Sequence, residues 1–148
     1  YKSWFLREAY ISEYTRRYQL DADKAKKLME TEQGLEERFN EFLKAAYTPK
    51  EEWNDFAQPL SIWKIYMEDE KGNRSSPVEI KKVDVNSPLM REFYPYLDYW
   101  SSGYIVRFPK YISASNEPFP NNDSVYLKLI VTGVLGSTEL EWPLIQTH

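Results

Sequence analysis

The chain contains no cysteine. That absence removes disulfides, thiolate zinc sites and cysteine nucleophiles together. Histidine is almost as scarce: the one His in 148 residues is His148, the last of them. A terminal imidazole has nothing packed around it to orient it, which argues against a Ser-His-Asp triad and a histidine-rich metal site. The five glycines form neither a P-loop nor a Gly-x-Gly-x-x-Gly pattern. No apolar run approaches the ~20 residues needed to span a bilayer. Positive charge is not in excess either, since 19 basic against 23 acidic residues leave a net charge of −4. The clusters Arg16-Arg17, Lys24-Lys26-Lys27 and Lys81-Lys82 are each interleaved with acids, so nucleic acid is not an expected partner.

What is abundant is aromatic. Twelve Tyr, seven Phe and five Trp make up 16% of the chain, and charged residues stand at 28%. That balance is typical of a folded globular domain, and 148 residues suit one domain spanning 1–148 with a core of its own.

Periodicity divides the chain into a helical part, about 3–56, and a β-rich part, about 60–144. Trp4, Ile11, Tyr14 and Tyr18 recur at helical spacing, with Arg7 on the same stripe. Asp21 or Asp23 can cap a second helix, whose seam Ala25, Leu28, Glu32, Leu35, Phe39, Phe42, Ala46 predicts that it runs to about Tyr47. Gly34 inside it suggests close backbone packing or a slight bend. Only a few residues separate the two helices, which implies an antiparallel hairpin. Thr48-Pro49-Lys50-Glu51 predicts a short helix ending near Phe56.

After Pro59 the period falls to two. Leu60 to Met67 predicts a strand, Lys71-Gly72-Asn73 a turn, and Val78 to Val85 the returning strand. Tyr104 to Phe108 reads as a third strand. Val125–Thr132 and Thr138–Trp142, around Gly133 to Ser137, form a final hairpin. The expected fold is therefore α+β: an N-terminal antiparallel helical hairpin packed on a small C-terminal antiparallel β-sheet or sandwich of about five strands.

Few positions carry a chemical signal. Glu32 occupies a seam position, and the short loop places it opposite Ile11, within about a turn of Arg7 and Tyr14. A buried carboxylate needs a partner, so a structural Glu32–Arg7 or Glu32–Tyr14 contact that sets the hairpin's register is expected ahead of a catalytic role for Glu32. The densest feature is Phe93-Tyr94-Pro95-Tyr96-Leu97-Asp98-Tyr99-Trp100, followed by Ser101-Ser102-Gly103-Tyr104. Such aromatics serve as interface anchors, or as stacking faces for a sugar whose hydroxyls reach Asp98 and the serines. They equally serve as a small core under an irregular connection. Tyr94, Tyr96, Asp98, Tyr99 and Trp100 are the candidate ligand-binding residues.

Glu68-Asp69-Glu70 and Asn121-Asn122-Asp123 supply hard oxygens, but without the organised spacing of a calcium loop they read as solvated turns. Asn73-Arg74-Ser75 and Asn122-Asp123-Ser124 match the glycosylation sequon, which matters only along a eukaryotic secretory route. Trp4, Phe5 and Leu6 could lie on a membrane surface, although helix packing claims most of that stripe. No metal and no cofactor is called for. An enzyme would rely on carboxylates, Tyr, Lys or Ser, and no pair of them stands out.

A chain opening on Tyr1 rather than Met is expected to have lost a leader, a lipid-anchor segment, a tag or another domain. The layout of helices before a small Trp/Tyr-rich β part resembles uncharacterised exported bacterial proteins, lipoproteins among them. That resemblance implies an extracytoplasmic place, in the periplasm or cell envelope. The expected function is a non-enzymatic binding or assembly module with a protein partner, using 93–104 and the long loop 113–124. The alternative is a carbohydrate-binding or carbohydrate-active domain built on the aromatics and Asp98.

Overall fold

Helix α1 (Trp4–Arg17) starts where the Ser3 side chain accepts a hydrogen bond from the Leu6 amide. Helix α2 (Ala22–Arg38) starts the same way, with Asp21 accepting from Lys24 N at 2.9 Å. Between them the chain reverses through Gln19, whose φ of 48° is left-handed. The structure, a computed structural model, describes residues 1–112 and 117–144. Residues 113–116 of the long loop and the terminal His148, both singled out from the sequence, lie outside the described residues.

The second helix ends at Arg38, nine residues before the seam predicts. Strand β1 (Phe39–Ala46) follows it with no intervening turn. Phe42 and Ala46, four residues apart, fit a helical seam and equally an alternation in which Asn40, Phe42 and Ala46 are buried. Tertiary pairing decides between the two: all eight residues of β1 align antiparallel with β5 (Ser102–Pro109). A complete ladder against a buried neighbour outweighs a weak helical preference. Gly34 meets no close neighbour, since a Cβ built on it has nothing within 4 Å, so close packing is not why it is glycine.

The segment predicted as a short helix is only a 3-10 turn, Glu51–Trp53. Thr48 does not cap it, because its hydroxyl donates to the Lys50 carbonyl at 2.8 Å. Strand β2 (Trp63–Asp69) turns back through Gly72, at φ 80°, into β3 (Arg74–Ser75). The predicted return over 78–85 does not pair there. Pro77 has no amide hydrogen to continue the ladder, and β4 (Glu79–Val83) crosses to pair with β5 instead. Helix α3 (Pro88–Phe93), capped by Ser87, leads towards β5. Strands β6 (Tyr126–Gly133) and β7 (Gly136–Pro143) form the last hairpin, with Gly136 at φ 144°.

Among the described residues seven strands thus make two antiparallel sheets, β1-β5-β4 and β3-β2-β6-β7. Alternation fixes what each buries. Phe42, Tyr104, Val106 and Phe108 come from the first sheet, and Ile65, Met67, Leu127, Leu129 and Val131 from the second. Phe56 and Phe119 join the same cluster from the connections. Each such side chain contributes on the order of 1.5–3 kcal/mol by leaving water.

The opposite face of the three-stranded sheet meets the helical hairpin through charge. Glu41, Arg107 and Glu79 stand side by side across β1, β5 and β4. Arg107 Nε donates to Glu41 at 2.7 Å and its Nη1 to Glu79 at 2.5 Å. Lys2 Nζ donates to the other Glu41 oxygen at 2.7 Å, and Arg7 Nη2 lies 3.7 Å from that oxygen. Arg7 Nη1 in turn donates to Glu32. Three carboxylates and three cations alternate from α2 to β4, so each buried charge has an opposite neighbour.

Candidate functional site

The aromatic segment between α3 and β5 divides into a buried half and an exposed half. Phe93 packs on Tyr10 of α1, ring centroids 5.1 Å apart, and on Tyr14 at 6.1 Å. Leu97 is buried, and its amide donates to the Tyr94 carbonyl. Tyr94 is half-buried, and burial, then the neighbouring Tyr10, Tyr96, Glu32 and Glu41, push its hydroxyl up to about 12. It therefore stays protonated at any ordinary pH and can only act as a neutral hydrogen-bonding group.

Beyond these anchors the rings turn outward. Tyr96, Tyr99 and Trp100 are 57%, 77% and 74% exposed. Tyr99 and Trp100 meet edge to face, 5.4 Å between centroids and 90° between planes. Tyr96 stands edge-on to Tyr94 at 6.2 Å. Perpendicular rings make a wedge with several apolar faces rather than one flat platform.

Asp98 shapes this wedge. Its Oδ1 accepts from Trp100 N at 3.1 Å and from Ser101 Oγ at 2.7 Å, closing the turn that projects Tyr99 and Trp100. Beside Tyr99 lies an open hollow of about 480 Å³ with a largely polar wall, including Lys82, Asp84, Asn86, Ser101 and Ser102. Asp84 Oδ1 accepts from Asn86 N and so orders its own turn.

The other sequence candidates are placed as follows. Glu32 and Arg7 are buried and hydrogen-bonded to each other. Tyr14 belongs instead to a row of rings, stacked on Tyr18 at 4.4 Å and tilted against Tyr10 at 5.6 Å. The oxygen-rich runs serve turns. Asp69 accepts from the amides of Lys71 and Asn73 and from Asn73 Nδ2, Glu68 pairs with Arg74, and Asn121 accepts from Asp123 N and Ser124 Oγ. Among the described residues no three His, Asp or Glu side chains gather as metal ligands, and no helix is long and apolar enough to cross a membrane.

One residue of chemical interest went unnoticed in the sequence. Lys44, read as part of a helix, lies on the inward face of β1 opposite Tyr104. The signal that could have found it is the alternation Asn40, Phe42, Lys44, Ala46, which puts a lysine where a core residue belongs. Set against protein-family models, curated proteins and solved structures, the chain matches none of them.

Proposed function

We propose that this protein is a non-enzymatic binding or assembly module that engages a protein partner through the wedge of Tyr96, Tyr99 and Trp100. The observation that carries this reading is three large rings left exposed along one short segment that Phe93, Tyr94 and Leu97 anchor from within. Exposed aromatics on a pre-ordered support lose little conformational freedom on binding and make effective anchors. The perpendicular set of Tyr99 and Trp100 suits a concave site on a partner better than a flat sugar face. Its extracytoplasmic placement rests on the compositional resemblance alone, and fractionation of the native cells with an antibody to the protein checks it.

Carbohydrate recognition is the second reading, favoured by the polar hollow against Tyr99. A sugar ring on Tyr99 would offer its hydroxyls to Asp84, Asn86 and the serines. The test is cross-linking capture on native envelope fractions alongside titration with oligosaccharides, using wild type and the Tyr96→Ala/Tyr99→Ala/Trp100→Ala variant. A protein captured by wild type and lost by the folded variant supports the first reading. Oligosaccharide binding lost in the same variant supports the second, and neither would remove the wedge as a recognition site.

A further inference from the structure

Lys44 projects between the two sheets, and its Nζ has essentially no exposed surface and no hydrogen-bond partner. Aromatic faces surround it instead: Nζ lies 3.1 Å from the centroid of Phe56 and 5.6 Å from that of Tyr104. Burial pushes the amine down to about 7. A ring face attracts the charged form, but it does not replace a counter-ion.

A pocket of about 490 Å³ opens beside this lysine, at the end of the sandwich where β1 and β6 finish and β2 begins. Trp53, Phe56, Trp63, Val131 and Leu135 give it an apolar wall, and the stem of Lys44 completes it. Several nearby polar groups are already engaged. Trp63 Nε1 donates to the Trp53 carbonyl at 2.7 Å. The Tyr104 hydroxyl pairs with Asn54, and Asp55 is held by Ser61 Oγ and Ile62 N. Lys44 Nζ alone of these groups has no such partner.

We propose that this pocket binds a small monocarboxylate with an aromatic or alkyl body, its carboxylate paired with Lys44 Nζ and its body lodged against Trp53, Phe56 and Trp63. A neutral ligand would leave the ammonium charge uncompensated, and a cation would repel it. A phosphate dianion asks for several charged donors, whereas Lys44 is the one cation lining this pocket among the described residues. The four-carbon stem lets Nζ leave the Phe56 face for the pocket without any backbone change. The volume lies within the range typical of small-molecule sites.

The test titrates wild type at pH 6.5 with octanoate, 4-phenylbutyrate and 2-naphthoate, and with the corresponding primary amides, following tryptophan fluorescence. At least one acid is expected to saturate at one site, binding at least tenfold more tightly than its amide. Lys44→Met is expected to melt no lower than wild type and to bind acid and amide alike. Failure of all three acids to bind would overturn the proposal, as would equal binding of acid and amide by wild type. Undiminished acid binding by Lys44→Met would overturn it too.

Discussion

Lys44 costs this fold stability at the level of one residue. Its amine titrates near 7 in the folded protein against an ordinary value of 10.5, because burial disfavours the charge. Between those two values the unfolded chain binds the extra proton, so stability rises with pH from about 7 to 10.5. Below pH 7 the penalty is present in full. Lys44→Met, which keeps the volume and removes the charge, is expected to stabilise the protein at pH 6 by about 2 kcal/mol. Urea melts at pH 6 and pH 9 check this: the gain shrinks at the higher pH, and a gain that does not shrink contradicts the assignment.

Glu41 shows the opposite case. Burial alone would raise its pKa, but Lys2, Arg107 and Arg7 overcome burial, and the net shift is downward. The stability this carboxylate contributes is present above its unfolded value and is lost as pH falls through its depressed folded one. Glu41→Leu removes the carboxylate shared by Lys2, Arg7 and Arg107, leaving Glu32 and Glu79 to balance three cations, and is expected to cost about 3 kcal/mol at pH 7 by denaturant melts. A cost under about 1 kcal/mol would show that the charges between hairpin and sheet are not what hold the two together.

At the scale of elements, the helical hairpin and the β-rich remainder are legible in the sequence because both carry clear periodicity and capping residues. The boundary at residue 38 is not. No Gly or Pro stands between Gly34 and Pro49, and Phe42 and Ala46, four residues apart, satisfy both periods. Only the β5 ladder, some sixty residues away in sequence, selects strand. The crossing of β4 into the other sheet has a local signal in Pro77, but its destination is again non-local. The wedge residues are legible as a cluster, whereas their division into anchored and exposed halves depends on where α1 lies. Lys44 stays hidden for the same reason as the boundary, since its role follows from β1 being a strand.

Two glycines test these elements in opposite directions. Gly34 sits in a helix with open space around it, so Gly34→Ala is expected to stabilise by about 0.5–1 kcal/mol. At Gly133 a Cβ would come within 2.5 Å of the Ile62 backbone oxygen, so Gly133→Ala is expected to destabilise and to disturb the β2–β6 edge of the pocket. Thermal melts of both variants separate the two expectations by sign.

For the molecule as a whole, the fold brings its two candidate sites to related places. Ala46 pairs with Ser102 at one end of the three-stranded sheet, so the exit of β1 and the entry of β5 adjoin. The aromatic wedge runs into that entry, and the Lys44 pocket is lined by that exit. As the proposed recognition surface, the wedge is expected to contribute little to the core. The measurement that tests it most directly is partner capture by wild type and by the Tyr96→Ala/Tyr99→Ala/Trp100→Ala variant, each paired with a denaturant melt. The variant is expected to stay within about 1 kcal/mol of wild-type stability and to bind its partner at least tenfold more weakly. A variant that captures the same partner undiminished, or that unfolds because the rings were core, contradicts it.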